Sequence, residues 1–368
     1  MNPPFRAALF FLSEHDISDI VPFGTGNIND TFLVTLRSGE QRVLQRLNPE
    51  VFPDPERIMR NIRLVLDHLG KQMRSETYGE DNFIPLLLYE GKTGDWYRAE
   101  DGSVWRLMSM VRDCRTCRSI SDANQARELG KGLGFFHRML STLDPGKLGD
   151  TVPGFHNTPE YLRRFDDVLS ARVKPNTPEA DFCSLFIEQR RSLADLLVHR
   201  RDKLKHGIIH GDPKVSNFLF DRNTERVISL IDLDTVKPGP LLYDLGDALR
   251  SCCNPAGETA REEDKVFFDP GLFQAWLQGY FSQAGFLLTG KDREHIVDSA
   301  LLISFELGLR FFSDYLAGNR YFKIRFANHN LHRAMVQFFL VRSIEKQKDL
   351  LESIVINFAV ETPQTRHG

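Results

Sequence analysis

One short loop carries three polar side chains whose types and spacing are typical of phosphoryl transfer. In the stretch His210-Gly-Asp-Pro-Lys-Val-Ser-Asn217, an Asp follows the His by two positions, and an Asn follows that Asp by five. Apolar residues flank the loop, so burying its polar groups would be costly unless they are bound. Asp212 could accept a proton from an attacking hydroxyl group, and Asn217 could offer oxygen to a metal ion. The alternative is a capped turn with ordinary Asx hydrogen bonds.

A second carboxylate group follows this loop at the end of the next apolar run. The stretch Leu230-Ile-Asp-Leu-Asp234 contains it, and a turn at 221–225 separates the two runs. If the runs pair as a hairpin, Asp232 lies close to Asn217, and Mg²⁺ prefers such oxygen ligands. The loop also has the spacing of the protein-kinase pattern H-R-D-x-x-x-x-N. We therefore predict Asp212 as the catalytic base, and Asn217 and Asp232 as Mg²⁺ ligands.

The chain before this loop shows the alternation that is typical of β-strands. Runs at 31–36 and 41–46 flank a plausible hairpin turn. A second strand pair is predicted at 83–89 and 96–98, and a further strand at 104–111. The first part of the chain is therefore expected to be rich in β-structure.

Helical periodicity dominates the rest of the chain. Asp54-Pro-Glu56 begins one helix in the first part, because Asp is a good N-cap and Pro fits the first helical position. Ser121-Asp122 caps another, and apolar residues three and four apart predict helices at 181–199, 272–284 and 293–317. The predicted hairpin that carries Asn217 and Asp232, which we call the catalytic hairpin, therefore lies inside a helical region.

These elements predict an α+β architecture with two lobes. A chain of 368 residues is too long for one simple core. We assign residues 1–111 to a nucleotide-binding lobe and residues 112–368 to a catalytic and substrate-binding lobe, with a hinge strand near 107–112.

Composition narrows the classes of partner and the compartment. The formal net charge of -3 gives no electrostatic reason to expect nucleic acid or an anionic membrane as a partner. No segment is long enough to span a bilayer, and the N-terminal apolar run is too short for a signal peptide. Five cysteines in a long chain suit a reducing compartment, so we expect a cytoplasmic protein. Cys114 and Cys117 have no matching second pair and do not predict zinc.

Several longer stretches resemble the aminoglycoside phosphotransferase and choline kinase group, and within it the N-acetylhexosamine 1-kinases. They are Phe23-Gly-Thr-Gly-Asn-Ile-Asn-Asp-Thr31, Val43-Leu-Gln-Arg-Leu-Asn48, Val51-Phe-Pro-Asp-Pro55, Tyr243-Asp-Leu-Gly-Asp-Ala248, Glu306-Leu-Gly-Leu-Arg-Phe-Phe-Ser-Asp-Tyr315 and Gly318-Asn-Arg-Tyr-Phe322. The resemblance implies a bilobal protein-kinase-like fold. It also implies transfer of the ATP γ-phosphate, with Mg²⁺, to the anomeric hydroxyl of an N-acetylhexosamine.

The resemblance also implies roles for individual residues. Asp212 resembles the family's base, Asn217 and Asp232 its metal ligands, and Asp244 a support for the catalytic loop. The loop over the phosphates would contain Gly24, Thr25, Gly26, Asn27 and Asn29. Met108 and Met110 could line an adenine site, although core packing explains them equally well.

The strand that carries a phosphate-binding Lys in protein kinases has none here. Its sequence is Val43-Leu-Gln-Arg46, and strand alternation sends Gln45 and Arg46 to opposite faces. Gln45 aligns better with the Lys position and would supply hydrogen bonds without charge. Arg46 is either a substitute cation or, as we favour, a solvated surface residue.

A helical stripe of charges is the predicted substrate wall. Glu306, Arg310 and Asp314 are four apart on a helix that is otherwise apolar. A helix this apolar should be largely buried, so we expect the stripe to border a cavity rather than to form an exposed ion-pair row. By resemblance, Arg310 and Tyr321 would contact the sugar, with Glu306 beside them.

Two alternatives stay open for the function. One is a kinase of another small hydroxylated molecule, such as an amino alcohol, an aminoglycoside or another sugar. The other is a nucleotide-binding module without catalysis. This alternative stays open because the strand Lys, a recurring catalytic part of protein kinases, is missing.

Overall fold

A five-stranded antiparallel sheet forms the N-terminal part of the computed structural model, which describes residues 2–24, 28–75, 83–171, 175–260, 262 and 265–361. The strand order is β1-β2-β3-β5-β4. The strands are β1 (Ile17–Pro22), β2 (Asp30–Leu36), β3 (Gln41–Leu47), β4 (Tyr97–Arg98) and β5 (Val104–Ser109). The predicted hairpin is confirmed, since β2 and β3 pair with Thr31 opposite Gln45.

Two helices, α1 (Pro3–Phe11) and α2 (Pro55–Ser75), accompany this sheet. The predicted start of α2 is confirmed, because the Asp54 carboxylate accepts a hydrogen bond from the backbone N–H of Arg57 at 3.0 Å. The apolar face of α2 is buried as its periodicity indicates; it contains Ile58, Ile62, Val65 and Leu69.

The strand predicted at 83–89 is wrong. Only a single bridge, between Leu88 and Met108, joins this segment to β5. Pro85 lacks a backbone N–H and cannot complete a ladder. The N–H of Ile84 instead donates to the carbonyl of Ile228 at 2.6 Å, so the segment crosses to the catalytic hairpin.

The C-terminal part is mainly helical. Its helices are α3 (Ala123–Leu140), α4 (Thr158–Ala171), α5 (Pro178–Gln189), α6 (Leu241–Cys252), α7 (Pro270–Ala284), α8 (Gly290–Glu294), α9 (Ile296–Ala317), α10 (His329–Lys346) and α11 (Lys348–Glu361). None of the helices in the described ranges is both long and apolar enough to cross a membrane.

Short strands interrupt these helices around the predicted catalytic loop. They are β6 (Cys114–Arg115), β7 (His206–Ile209), β8 (Phe218–Asp221), β9 (Val227–Leu230) and β10 (Lys237–Pro240). The hairpin β8–β9 is antiparallel, as predicted, and β6 extends it to three strands. The second pair, β7–β10, brings the chain into and out of the loop region. The mixed α+β prediction is therefore confirmed, whereas the lobe boundary at 111 stays a prediction.

The helix predicted at 181–199 ends early. It stops at Gln189, and two 3₁₀ turns follow, over Arg191–Asp195 and Val198–Lys203. The guanidinium of Arg190 binds Glu345 of α10, and that of Arg191 binds Asp166 of α4. These tertiary contacts override the local helical pattern.

Glycines allow the close approach of α3 and α7. A Cβ atom on Gly279 would lie 1.9 Å from the carbonyl oxygen of Arg127, and one on Gly130 would lie 2.0 Å from that of Trp276. Both obstacles are helix backbone, which cannot rotate away. The packing of α7 on α3, and through α3 on the catalytic hairpin, therefore requires these two glycines.

We expect Gly279→Ala to destabilise the protein, because the added methyl group forces α7 away from α3. The free energy of unfolding in urea should fall by about 1–3 kcal/mol or more. Gly290→Ala is the matched control, since Gly290 is exposed and no atom lies within 4 Å of its added Cβ. Equal unfolding midpoints for the two variants would contradict the packing argument.

Candidate active site

The catalytic loop follows β7 and is held by a buried carboxylate. Asp244, in the first turn of α6, accepts hydrogen bonds from the backbone N–H groups of His210 at 2.6 Å and Gly211 at 2.8 Å. The same carboxylate meets His137 Nε2 at 3.0 Å, and Tyr280 binds the other ring nitrogen of His137. His137 is thus a satisfied core histidine, and Asp244 fixes the loop backbone.

The side chain of His210 stabilises the loop through hydrogen bonds to backbone groups. Its Nε2 donates to the carbonyl of Ile231 at 2.9 Å, and its Nδ1 accepts from the N–H of Asp212 at 3.2 Å. Burial lowers the pKa of His210, which agrees with this neutral tautomer. Gly211 has a φ of 88°, and a Cβ there would lie 2.8 Å from Thr235 O. Glycine is therefore required before Asp212.

Asp212 is partly exposed at a cavity between the sheet and the helices. Burial favours its neutral form, but the Lys214 ammonium in direct contact outweighs burial and keeps the pKa of Asp212 below its usual value. Asn217 Nδ2 donates to the backbone oxygen of Asp212 at 2.7 Å. Asp212 is therefore ionised at neutral pH, as a proton acceptor must be. Our sequence reasoning missed Lys214, although it lies inside the quoted loop.

Asp232 faces the same cavity from the end of the catalytic hairpin. Its backbone is left-handed, with a φ of 69°. Burial, and then the neighbouring Asp234 carboxylate, raise the pKa of Asp232 to about 6. Asn217 lies next to Asp232, because the N–H of the preceding residue, Ile231, donates to the backbone oxygen of Asn217 at 2.9 Å. The hairpin thus brings Asp232 and Asn217 together, as predicted.

These two residues fit a magnesium ion that is shared with phosphate groups. They offer a carboxylate and an amide oxygen, the hard donors that Mg²⁺ prefers. Because Asp232 is close to the Asp234 carboxylate, a cation bound beside it would be stabilising. No set of three or more His, Cys, Asp or Glu side chains in the described ranges could hold a metal alone. Mg²⁺ does not need one, because one or two protein carboxylates suffice beside a nucleotide.

Part of the predicted phosphate loop can be placed. Asn29 is buried; its Nδ2 donates to Asp234 at 2.6 Å, and its Oδ1 accepts from the N–H of Asn48 at 3.1 Å. Asn29 therefore links the loop to the catalytic hairpin. Gly24 has the positive φ of a turn, at 76°. Thr25, Gly26 and Asn27 lie outside the described residues.

The two methionines proposed for an adenine site do not line this cavity. Met108 packs in a small apolar cluster with Leu86, Val111 and Leu219. Met110 is half-buried at the end of the sheet. Core packing, the second interpretation offered above, accounts for Met108.

A buried arginine lies beside the position on β3 where protein kinases carry a Lys. Gln45 lines the cavity, whereas Arg46 is 45% exposed and pairs with Asp30 at 2.5 Å. Opposite Gln45 on β5 lies Arg106, only 1% exposed. Its guanidinium pairs with Asp234 at 2.5 Å and donates to Gln45 Oε1 at 2.7 Å. Our sequence reasoning missed Arg106; a lone charge within the apolar run 104–108 was the available signal.

Arg310 is the only member of the charged stripe on α9 that lines the cavity, considering the residues that the structure describes. Its side chain is 13% exposed. Four aromatic rings surround its guanidinium at 5.0–5.7 Å; they belong to Phe155, Tyr161, Tyr321 and Phe322. Tyr321 also lines the cavity, as expected. The arginine therefore fills an aromatic cage.

The other two charges of the stripe lie behind the cavity wall. Glu306 is 1% exposed, and both of its oxygens are bound, one by His156 at 3.0 Å and one by Thr158 at 2.7 Å. Asp314 accepts hydrogen bonds from the backbone N–H groups of residues 320, 321 and 322, and so shapes the loop that carries Tyr321. The structure does not bring Glu306 to the cavity surface. An exposed ion-pair row is excluded by this burial.

The loop after α9 also reaches the N-terminal sheet. Lys323 Nζ lies 2.9 Å from the Asp30 carboxylate and donates to the backbone oxygen of Asn29 at 3.1 Å. Both side chains are partly exposed. The loop that carries Tyr321 and the segment at 29–30 are therefore joined by a charged bridge.

The chain belongs to the phosphotransferase enzyme family, whose model matches residues 19–285. Among solved structures, it is similar to a microcompartment-associated aminopropanol kinase, with 17% identity over 94% of this chain and 97% of that one (TM-score 0.63). It is also similar to an aminoglycoside phosphotransferase from Alicyclobacillus acidocaldarius, at 13% identity, 98% and 97% coverage and a TM-score of 0.60. A third is an amicoumacin kinase in complex with AMP-PNP and Ca²⁺, at 14% identity, 97% and 92% coverage and a TM-score of 0.54. These likenesses confirm the kinase-like fold.

We expect Arg106→Met to destabilise the protein strongly, because it leaves Asp234 buried without its cation. Breaking a buried pair in this way costs about 3–5 kcal/mol. Arg46→Met is the matched control: its ion pair with Asp30 is exposed, so the loss should be about 1 kcal/mol or less.

Urea unfolding of both variants measures the difference. The double variant Arg106→Met with Asp234→Asn should recover part of the loss, since no buried charge is then unpaired. If Arg106→Met is as stable as Arg46→Met, the buried pair does not hold the sheet to the hairpin.

Proposed function

We propose that this member of the family transfers the γ-phosphate of ATP, with Mg²⁺, to the anomeric hydroxyl of an N-acetylhexosamine, which gives the sugar 1-phosphate. One observation carries the proposal: an ionised Asp212 lies at a cavity that also contains Asp232 and the caged Arg310. A base, a metal ligand and an acceptor-binding cation thus share one space.

The nucleotide and the metal ion are supported by the donor set and by a structural neighbour. The amicoumacin kinase was solved with an ATP analogue and a divalent cation. Here Asn217 and Asp232 would hold Mg²⁺ together with the phosphates. The ion would neutralise the charge that develops on the phosphates during transfer.

The side chains of this protein have defined tasks in the transfer. Asp212 accepts the proton of the acceptor hydroxyl while that oxygen bonds to the γ-phosphorus and ADP departs. Lys214 keeps Asp212 ionised, and its ammonium is close enough to the same space to attract phosphate oxygens. Asp244 holds the loop backbone, so that Asp212 is preorganised.

The caged Arg310 favours a neutral acceptor with several oxygens. Arg310 already occupies the aromatic cage that a cationic acceptor would need, and its like charge would repel an ammonium group. A guanidinium can donate two hydrogen bonds to neighbouring sugar oxygens. These features support a sugar over an amino alcohol.

A second candidate, a kinase of a cationic amino alcohol, has one feature in its favour. The carboxylate of Glu258 lines the same cavity and could bind an ammonium group. However, Glu258 already pairs with Arg333 at 3.3 Å and faces Arg250 at 3.6 Å. Its charge is therefore compensated within the protein.

The function is tested by measuring ATP consumption with Mg²⁺ against a panel of neutral sugars, amino alcohols and aminoglycosides. We expect turnover with N-acetylhexosamines and a 1-phosphate product in the ³¹P NMR spectrum. Turnover confined to amino alcohols or aminoglycosides would establish the second candidate. ATP binding with no turnover on any acceptor would support a nucleotide-binding module instead.

Asp212→Asn should keep the fold and ATP affinity but lower kcat by about 10²–10⁴, the usual contribution of a general base. The amide cannot accept the hydroxyl proton, although it has nearly the shape of the carboxylate. Steady-state kinetics with saturating sugar, and ATP binding by calorimetry, make the comparison. Wild-type turnover in this variant would remove Asp212 from the mechanism.

Arg310→Ala should lower kcat/KM for the sugar, because sugar oxygens lose a charged donor in a closed site. The fall should correspond to a loss of about 1.5–3 kcal/mol of transition-state stabilisation. ATP affinity without sugar should hardly change. Arg310→Lys should restore only part of the loss, since an ammonium cannot reproduce the two-pronged donor. If ATP binding or thermal stability falls while sugar kinetics do not, Arg310 is structural.

A further inference from the structure

His156 lies buried between the catalytic loop and α9, which we call the acceptor helix because it carries Arg310. Its Nδ1 is 3.0 Å from Glu306 Oε1, and its Nε2 is 3.0 Å from the backbone oxygen of Gly211. The residue is only 6% exposed. One imidazole ring therefore joins the helix that carries Arg310 to the residue that precedes Asp212.

Counting protons fixes the charge of this ring. Neutral imidazole has one N–H group, whereas both neighbours of His156 are oxygen acceptors, and a backbone carbonyl has no proton to give. The surroundings of Glu306 favour its ionised form, because the Arg310 guanidinium lies 4.0 Å from Oε1, the oxygen atom that faces His156. Its other oxygen already accepts from the Thr158 hydroxyl. With Glu306 ionised, both hydrogen bonds of the ring can form only if His156 carries two protons.

We propose that His156 is a positioning residue that acts as a buried imidazolium and sets the place of the catalytic loop relative to the acceptor helix. Its kinetic consequence rests on the proposed function, whereas its charge is a property of the fold. The residue does not line the cavity and touches no reacting atom. It acts through Gly211 and Glu306.

The local backbone supports this role. His156 has a left-handed φ of 62°, which is rare for a residue with a side chain and persists only where surrounding contacts hold it. The preceding ring, Phe155, lines the cavity and lies 5.1 Å from the guanidinium of Arg310. Two consecutive residues, Phe155 and His156, thus contact Arg310 and the catalytic loop, respectively.

The charged and titratable groups around His156 come from three elements. They are Glu306 and Arg310 of α9, Tyr243 and Asp247 of α6, and Lys237 of β10, which donates to the backbone oxygen of the preceding residue, Phe155. Glu306 alone is in hydrogen-bonding contact with the ring among these. When rising pH removes one ring proton, either Glu306 or the oxygen of Gly211 loses its donor. The link should therefore hold at low pH and fail at high pH.

Glu306→Gln is the decisive variant. The Gln amide can donate to Nδ1 of a neutral ring and accept from Thr158, and Nε2–H can still donate to Gly211. The variant therefore satisfies every group without a charge on His156. In the wild type, kcat/KM for the acceptor should fall about tenfold to a hundredfold as the ring loses its proton. In Glu306→Gln this alkaline fall should be absent.

The charge is measured separately by NMR of protein with ¹⁵N-labelled histidine, without nucleotide or acceptor. The wild type should show two protonated ring nitrogens for His156, and Glu306→Gln only one; the signal is assigned by its loss in His156→Phe. A neutral ring in the wild type would overturn the inference, whichever substrate is correct. A charged ring with the same alkaline fall in both proteins would overturn its positioning role. If no acceptor is turned over, the proposed function fails, while the NMR result still decides the charge.

Discussion

The catalytic loop depends on one buried carboxylate. Asp244 is fully buried, yet it receives the N–H groups of two consecutive loop residues and a ring nitrogen of His137. A carboxylate without such donors would be very costly at this place. The loop must therefore adopt the one backbone path that satisfies it. The direction of Asp212 toward the cavity, and the position of Asn217 five residues later, follow from that path.

Around this loop, three carboxylates each have a cation of their own. Asp212 meets Lys214, Asp234 meets Arg106, and Glu306 meets His156. Pairs of this kind contribute little net stability, because desolvation offsets their attraction. They do distinguish one arrangement from others, since a displaced partner leaves a buried charge alone. Asp232 lacks such a close partner among the described residues, which is consistent with a site completed by a bound cation.

The parts that could be predicted from the sequence are those encoded by local spacing. The loop at 210–217 and the following hairpin are short and periodic, so their residues had to meet. Arg106 and His156 were missed because each is a single residue whose partner is more than a hundred positions away in the chain. The helix predicted at 181–199 was too long for a similar reason, since contacts to distant elements end it at Gln189. Local periodicity carries no information about such partners.

The bridge between Lys323 and Asp30 is far more exposed than the pair of Arg106 and Asp234, although both join the N-terminal sheet to the rest of the chain. Its two side chains are 48% and 36% exposed, so water and dissolved ions reach both charges. At physiological salt the screening length is about 8 Å, and it shortens as salt is added. The attraction across this bridge therefore weakens with ionic strength, whereas the buried pair of Arg106 and Asp234 keeps its strength. One link between the N-terminal sheet and the rest of the chain therefore responds to the ionic medium, and the other does not.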